Sequence, residues 1–152
     1  MPFYFSNLIL QFAMEKETIV EVTKLGFTIQ AAVKVIGKDL LITLTGGDTP
    51  HIGTVTTFSR DTEIQTVRFP SHDGRFHKDD VLAEKIAVVI KNAVPGSCTI
   101  TSGIHVDHIS NAQINASFPM SEELGYKILD WLEKTDFHIK EPVYYKDGEK
   151  PL

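Results

Sequence analysis

Residues 27–45 read FTIQAAVKVIGKDLLITLT, and their period of two decides the fold. Ile29, Ala31, Val33 and Val35 fall on one side of an extended chain, with Gln30 and Lys34 on the other. Side chains alternate across a strand, so the stretch predicts a half-buried strand. Gly37-Lys38 turns the chain, because glycine reaches positive φ at no steric cost. Leu40, Ile42 and Leu44 then face together on the returning strand.

The same logic extends outward. Residues 18–25 (TIVEVTKL) are rich in β-branched side chains and predict a strand before the hairpin. Residues 52–58 and 62–69 predict a second hairpin about Ser59-Arg60-Asp61, and Phe69-Pro70 ends the strand run. Asp79 and Asp80 then precede VLAEKIAVVIKNA, in which Leu82, Ile86, Val89, Ile90 and Ala93 form one helical stripe. The two aspartates are expected to cap that helix. Residues 97–105 predict a central strand. Ser110 to Gln113 has the spacing of a capping box for a short helix. Pro119 is expected to interrupt it, and Ser121 to start another helix lined by Leu124, Ile128, Trp131 and Leu132. The expected fold is α+β: a largely antiparallel sheet of about six strands, with two or three helices packed mainly on one face.

The chain has 152 residues, 42% of them hydrophobic and 23% charged, which suits one domain. Residues 14–135 are taken as that domain, preceded by an apolar extension at 1–13 and followed by an irregular tail at 136–152. The extension, within MPFYFSNLILQFAM, has no basic residue before its apolar run, so it does not read as a secretory signal. The functional chain is expected to begin near Met14. Phe3, Phe5, Leu8 and Phe12 would need burial against something such as a second subunit, and uncovered strand edges point the same way, to a homodimer. A net charge of −5 argues against nucleic acid as the main partner. No stretch approaches the roughly 20 apolar residues that cross a bilayer, so no membrane role is expected. The single cysteine, Cys98, excludes an internal disulfide and fits a reducing, cytoplasmic setting. In an apolar strand Cys98 reads as a small buried hydrophobe rather than a nucleophile.

Three loops carry the chemistry. In residues 45–53 (TGGDTPHIG), Gly46 and Gly47 allow close backbone approach, and Asp48 and His51 add an acceptor and a titratable donor. The other reading is a hairpin with glycine for the turn and Pro50 for rigidity. In residues 71–80 (SHDGRFHKDD), Arg75, His77 and Lys78 precede a helix N-terminus and form a candidate phosphate clamp, with Phe76 a candidate stacking ring. The alternative is a solvated loop. In residues 103–109 (GIHVDHI), a strand ends where ligands commonly sit. A zinc or iron site could draw on His105, Asp107 or His108 together with His51, but the spacing is not specific and no metal ligand set is assigned. The nucleophile-elbow, Walker and dinucleotide-binding signatures are missing from the sequence.

Taken together and in order, TGGDTPHIGTV, GRFHKDDVLA, GIHVDHIS and ASFPMSEELG resemble the prenylated-flavin chaperone LpdD-like family. Its members are the small third component encoded beside gallate-type, non-oxidative hydroxyarylic acid decarboxylases. The resemblance implies an accessory protein, not an enzyme, that binds, protects or delivers prenylated FMN (or FMN). Its implied partners are a UbiD-type decarboxylase and a UbiX-type flavin prenyltransferase. By resemblance the site residues are Gly46, Gly47, Asp48, Pro50, His51, Gly53, His77, Lys78, Asp79, Asp80, His105 and Asp107; His108 lies outside the matched pattern. Two other readings stay open: a small metal-dependent hydrolase or lyase using His51, His105 and Asp107, and a purely structural decarboxylase subunit. The flavin reading requires His51, Lys78 and His105 to meet at one pocket.

Overall fold

The computed structural model describes residues 16–151. The expected extension at 1–13 and its hydrophobic contacts lie outside the described residues. Six strands run β1 (Glu17–Lys24), β2 (Phe27–Ile36), β3 (Asp39–Gly47), β4 (Thr54–Ser59), β5 (Thr62–Arg68) and β6 (Ser97–His105). Helix α1 (Asp80–Ile90) precedes β6, and α2 (Asn111–Glu133) follows it. The sheet order is β1-β2-β3-β6-β4-β5. Every neighbouring pair is antiparallel except the central β3–β6, which is parallel. The α+β expectation holds.

Alternation builds the core. Ile29, Ala31 and Val33 of β2 and Leu40, Ile42 and Leu44 of β3 are buried, and so are Phe58 of β4 and Cys98 and Ile100 of β6. The intervening residues are half-buried or exposed. Both helices pack on the buried face and against each other, α1 over β4, β5 and β6 and α2 over β1 and β2. Their contact is close because Gly125 has no side chain. A Cβ there would lie 3.1 Å from Val89 Cβ and 3.4 Å from Ile86 Cα.

Three local expectations change. The 52–58 segment becomes strand only from Thr54, because residues 51–53 run along the end of β6 as a loop: the His51 N–H donates to the Gly103 carbonyl (3.4 Å) and the Gly53 N–H to the Ser102 carbonyl (2.8 Å). The expected break at Pro119 does not occur: α2 runs through it as one helix. Ser117, Met120, Ser121, Leu124, Ile128 and Leu132 make one buried stripe spanning the proline, while the Pro119 ring faces solvent. Burial of that stripe outweighs the roughly 3 kcal/mol that an interior proline costs. The capping box at its start is complete, with Ser110 and Gln113 bonding reciprocally (3.0 and 3.1 Å). The third change concerns Asp79. It occupies the N-cap position of α1 but makes no side-chain capping bond. Its carboxylate is committed elsewhere, as described below. Residues 136–151 contain no helix or strand.

Candidate functional site

The parallel pairing of β3 and β6 brings their C-terminal ends to the same edge of the sheet, ending at Gly47 and His105 in register. β4 starts and β5 ends at that edge. Three loops therefore converge there: 48–53 after β3, 69–79 after β5, and 106–110 after β6. Strand ends of this kind are where ligands gather in sheets with parallel strands.

Backbone bonds knit the loops together. Asp48 and Thr49 N–H groups donate to the His105 carbonyl (2.6 and 3.3 Å). The Asp107 N–H donates to Asp48 Oδ2 (2.8 Å). Phe69 N–H donates to the Gly53 carbonyl (2.9 Å), and His77 N–H to the Phe69 carbonyl (3.2 Å). Gly47, at φ +74°, and Gly103 sit where the chains approach too closely for a side chain. A Cβ on Gly47 would strike the His105 backbone, and one on Gly103 the His51 backbone.

At the centre stand His51, His77 and Asp79. His51 Nε2 lies 3.3 Å from His77 Nδ1, and Asp79 Oδ2 lies 3.7 Å from the former and 3.6 Å from the latter. The imidazole centroids are 4.9 Å apart with planes tilted by 44°. His51 and Asp79 are each held by a bond from outside the trio. His51 Nδ1 is 3.0 Å from the Thr49 carbonyl. A carbonyl only accepts, so Nδ1 carries a proton, and Nε2 faces His77 Nδ1 at hydrogen-bond distance. Asp79 Oδ1 accepts the Ile104 N–H (3.0 Å), and the Asp79 carbonyl accepts the Ser102 hydroxyl (3.0 Å). Gly53 leaves the needed room, since a Cβ there would lie 2.6 Å from Asp79 Oδ2 and 2.7 Å from His77 Cγ.

These three residues floor a cleft of about 470 Å³. His72, Ser71 and His105 are polar walls; Ile52 and Ile104 are apolar ones. A second cleft of about 350 Å³ shares Asp79 and Ile104 with it and is lined by Phe27, Ile109, Ile114 and Phe118.

The expected site residues separate into groups. His51, His77, Asp79 and His105 share the polar cleft. Gly53 stands directly behind it. His105 does not join the central trio: its Nε2 pairs with Asp107 Oδ1 at 3.0 Å. Gly46 and Gly47 are spent in the β3–β6 ladder, and Asp48 in holding Asp107. Pro50 is exposed on the loop. Lys78 lines the apolar cleft instead, so His51, Lys78 and His105 do not meet at one pocket as expected but at two clefts that share Asp79 and Ile104. Arg75 is exposed, and Phe76 is bridged to Pro70 on the loop that supplies Ser71 and His72. Asp80 faces away, buried, and binds Arg68 at 2.8 and 3.2 Å. That hydrogen bond, with the carboxylate charge, raises the Arg68 pKa above its ordinary value. Sequence reasoning did not single out His72 or Ile104; the former stood inside a quoted motif, while an amide that orients a carboxylate leaves no signal in residue type. Cys98 is buried at the far end of β6, and burial pushes its thiol up to about 12.

A family model described as the prenylated flavin chaperone LpdD-like domain matches residues 23–133. The chain belongs to this family. The LpdD-like match runs from the end of β1 to the end of α2 and contains all three loops. "Protein LpdD" of Lactiplantibacillus plantarum (strain ATCC BAA-793 / NCIMB 8826 / WCFS1) is 50% identical over 126 residues, covering 83% of this chain and 93% of that protein. A chain in "Crystal Structure of a Novel Chaperone Complex for Yeast 20S Proteasome Assembly" is similar at 14% identity and a TM-score of 0.47, covering 78% of this chain and 95% of its own. No helix among the described residues of this LpdD-like chain is long and apolar enough to cross a membrane.

Proposed function

We propose that this LpdD-like chaperone binds prenylated FMN (or FMN), protects it, and delivers it to a UbiD-type non-oxidative hydroxyarylic acid decarboxylase, without catalysing a reaction of its own. A UbiX-type flavin prenyltransferase is the source of the cargo. The observation that carries the reading is the adjacency of two unlike clefts. One is polar and rich in histidine; the other is apolar and lined by Phe27, Ile109 and Phe118; Asp79 and Ile104 separate them. A prenylated flavin has the matching division: a large ring system with an added hydrocarbon, and a phosphate on a polar chain. The ring system suits the apolar cleft, where burial of carbon surface contributes about 25 cal/mol per Å². The polar chain suits the cleft holding Ser71, His72 and His105; Lys78, from the adjoining apolar cleft, is the nearer candidate for a charge-assisted bond to the phosphate, and Arg75 lines neither cleft. Gly46 and Gly47 contribute by fixing the loop rather than by cradling the anion.

Anaerobic isothermal titration with FMN and prenylated FMN tests this. Cargo must be released, so a dissociation constant in the micromolar range, about −8 kcal/mol, is expected. Lys78→Ala should weaken it by roughly tenfold, the worth of one charge-assisted bond. Binding of neither ligand below millimolar concentration, together with no effect of Lys78→Ala, sinks the proposal. Transfer of bound cofactor to apo-decarboxylase, followed by recovery of decarboxylase activity, tests delivery separately.

A further inference from the structure

We infer that His51, His77 and Asp79 form a binding site for a divalent first-row transition ion of the Zn²⁺ or Fe²⁺ class, with open coordination positions facing the polar cleft. The three donor atoms lie within 4.8 Å of one another. Their separations of 3.3, 3.6 and 3.7 Å are the telling feature. Ligands about 2.0–2.2 Å from a zinc ion stand about 3.3–3.6 Å apart at tetrahedral angles. Both histidine–carboxylate separations are too long for hydrogen bonds. Asp79 Oδ2 therefore faces two imidazole nitrogens across a gap of the width an ion would fill.

Supporting bonds prepare two of the three donors, His51 and Asp79. His51 Nδ1 donates to the Thr49 carbonyl at 3.0 Å, which leaves Nε2 as the ligand atom; an ion between Nε2 and His77 Nδ1 replaces their 3.3 Å hydrogen bond and displaces its proton. Asp79 Oδ1 is held by the Ile104 amide at 3.0 Å, which leaves Oδ2 for the ion. The side chains of His51, His77 and Asp79 are 26%, 23% and 12% exposed, so the gap is sheltered but reachable from the cleft. Gly53 permits the arrangement, since any side chain there would push Asp79 and His77 aside. Two histidines and one carboxylate, with positions left over, are the donor set of an ion that also takes an external ligand, unlike a closed structural site. The inference does not rest on the flavin reading, because no part of it uses a flavin.

Cobalt is the probe. Chelator-treated protein, free of flavin, is titrated with Co²⁺ and followed by visible ligand-field absorption, then challenged with Zn²⁺. One Co²⁺ per chain, displaced by Zn²⁺, is expected. His77→Ala should weaken binding by more than the 10–100-fold typical of losing an outer partner, and Gly53→Ala should weaken it too. Asp79→Asn keeps the Oδ1 acceptor for Ile104 while removing the anionic donor, so it gives a folded test should His77→Ala misfold; its loss of binding is also expected. Absence of saturable binding overturns the assignment. So does wild-type affinity in both His77→Ala and Asp79→Asn, or loss on His105→Ala with those two unaffected. FMN titration of the same chelator-treated protein reports on the flavin proposal independently.

Discussion

Asp79 shows how one side chain can leave a generic task for a specific one. An aspartate before a helix is expected to cap it, yet here the carboxylate holds the Ile104 amide and faces two histidines. Removing that acceptor leaves a half-buried amide without its partner, at a cost of about 1–3 kcal/mol. Asp79→Ala should therefore lower the urea midpoint by that equivalent, whereas Asp79→Asn, which can still accept from Ile104, should lose far less; equal losses would show that the bond does not matter. Cys98 makes a second case. Its thiol pKa rises from 9.0 to about 12 on burial, so the unfolded chain ionises first as pH rises. Stability from this group is complete below pH 9 and falls between there and about pH 12, by roughly 1.4 kcal/mol per pH unit. The urea midpoint of the wild type should fall more steeply above pH 9 than that of Cys98→Ala, and the native thiol should react with a disulfide reagent only on unfolding. Parallel pH profiles for the two proteins would refute the assignment. The burial of Cys98 was readable from its apolar strand; the partner of Asp79 was not, because an amide is common to every residue.

At the scale of elements, α2 carries two residues that ordinary rules disfavour, and they behave in opposite ways. Pro119 deprives the helix of one internal bond and its ring faces solvent, so nothing compensates locally. Pro119→Ala should raise the urea midpoint, by on the order of 1 kcal/mol and at most about 3. Gly125 looks equally unfavourable, but Val89 and Ile86 occupy the space where a side chain would go. Gly125→Val should overpack the α1–α2 contact and cost about 1–3 kcal/mol. If both substitutions stabilised the protein, propensity rather than packing would govern the helix. The same contrast explains what the sequence disclosed. Ser110 and Gln113 announced the helix start through local bonds that need no tertiary partner. The strands were equally legible, because a period of two is a local pattern with one buried face. Continuity through Pro119 was hidden, since it depends on a stripe buried against other elements.

At the scale of the whole molecule, the parallel β3–β6 pair is what gathers the site, and no local pattern encodes it. His51, His77 and His105 were each visible as polar residues in glycine-bearing loops. Their grouping required β6 to insert between β3 and β4, a choice made by the complete sheet. The same insertion has a thermodynamic consequence. β6 contacts β3 on one side and β4 on the other, and α2 packs on β1, β2 and α1, so the two halves of the sheet are joined through β6 and through the helix pair. The protein should unfold as one cooperative unit. Its single tryptophan, Trp131, lies half-buried on α2 against the core and reports that helix alone, while far-UV circular dichroism reports all elements together. The two urea transitions should coincide. A ligand of the polar cleft engages the loops after β3 and β5 and the last residues of β6, so it should move both midpoints upward together, by about 2.7 kcal/mol at a hundredfold excess over its dissociation constant. A fluorescence transition at lower urea than the dichroism, or a ligand that shifts one midpoint and not the other, would mean that α2 opens separately and that the site is not coupled to the fold as a whole.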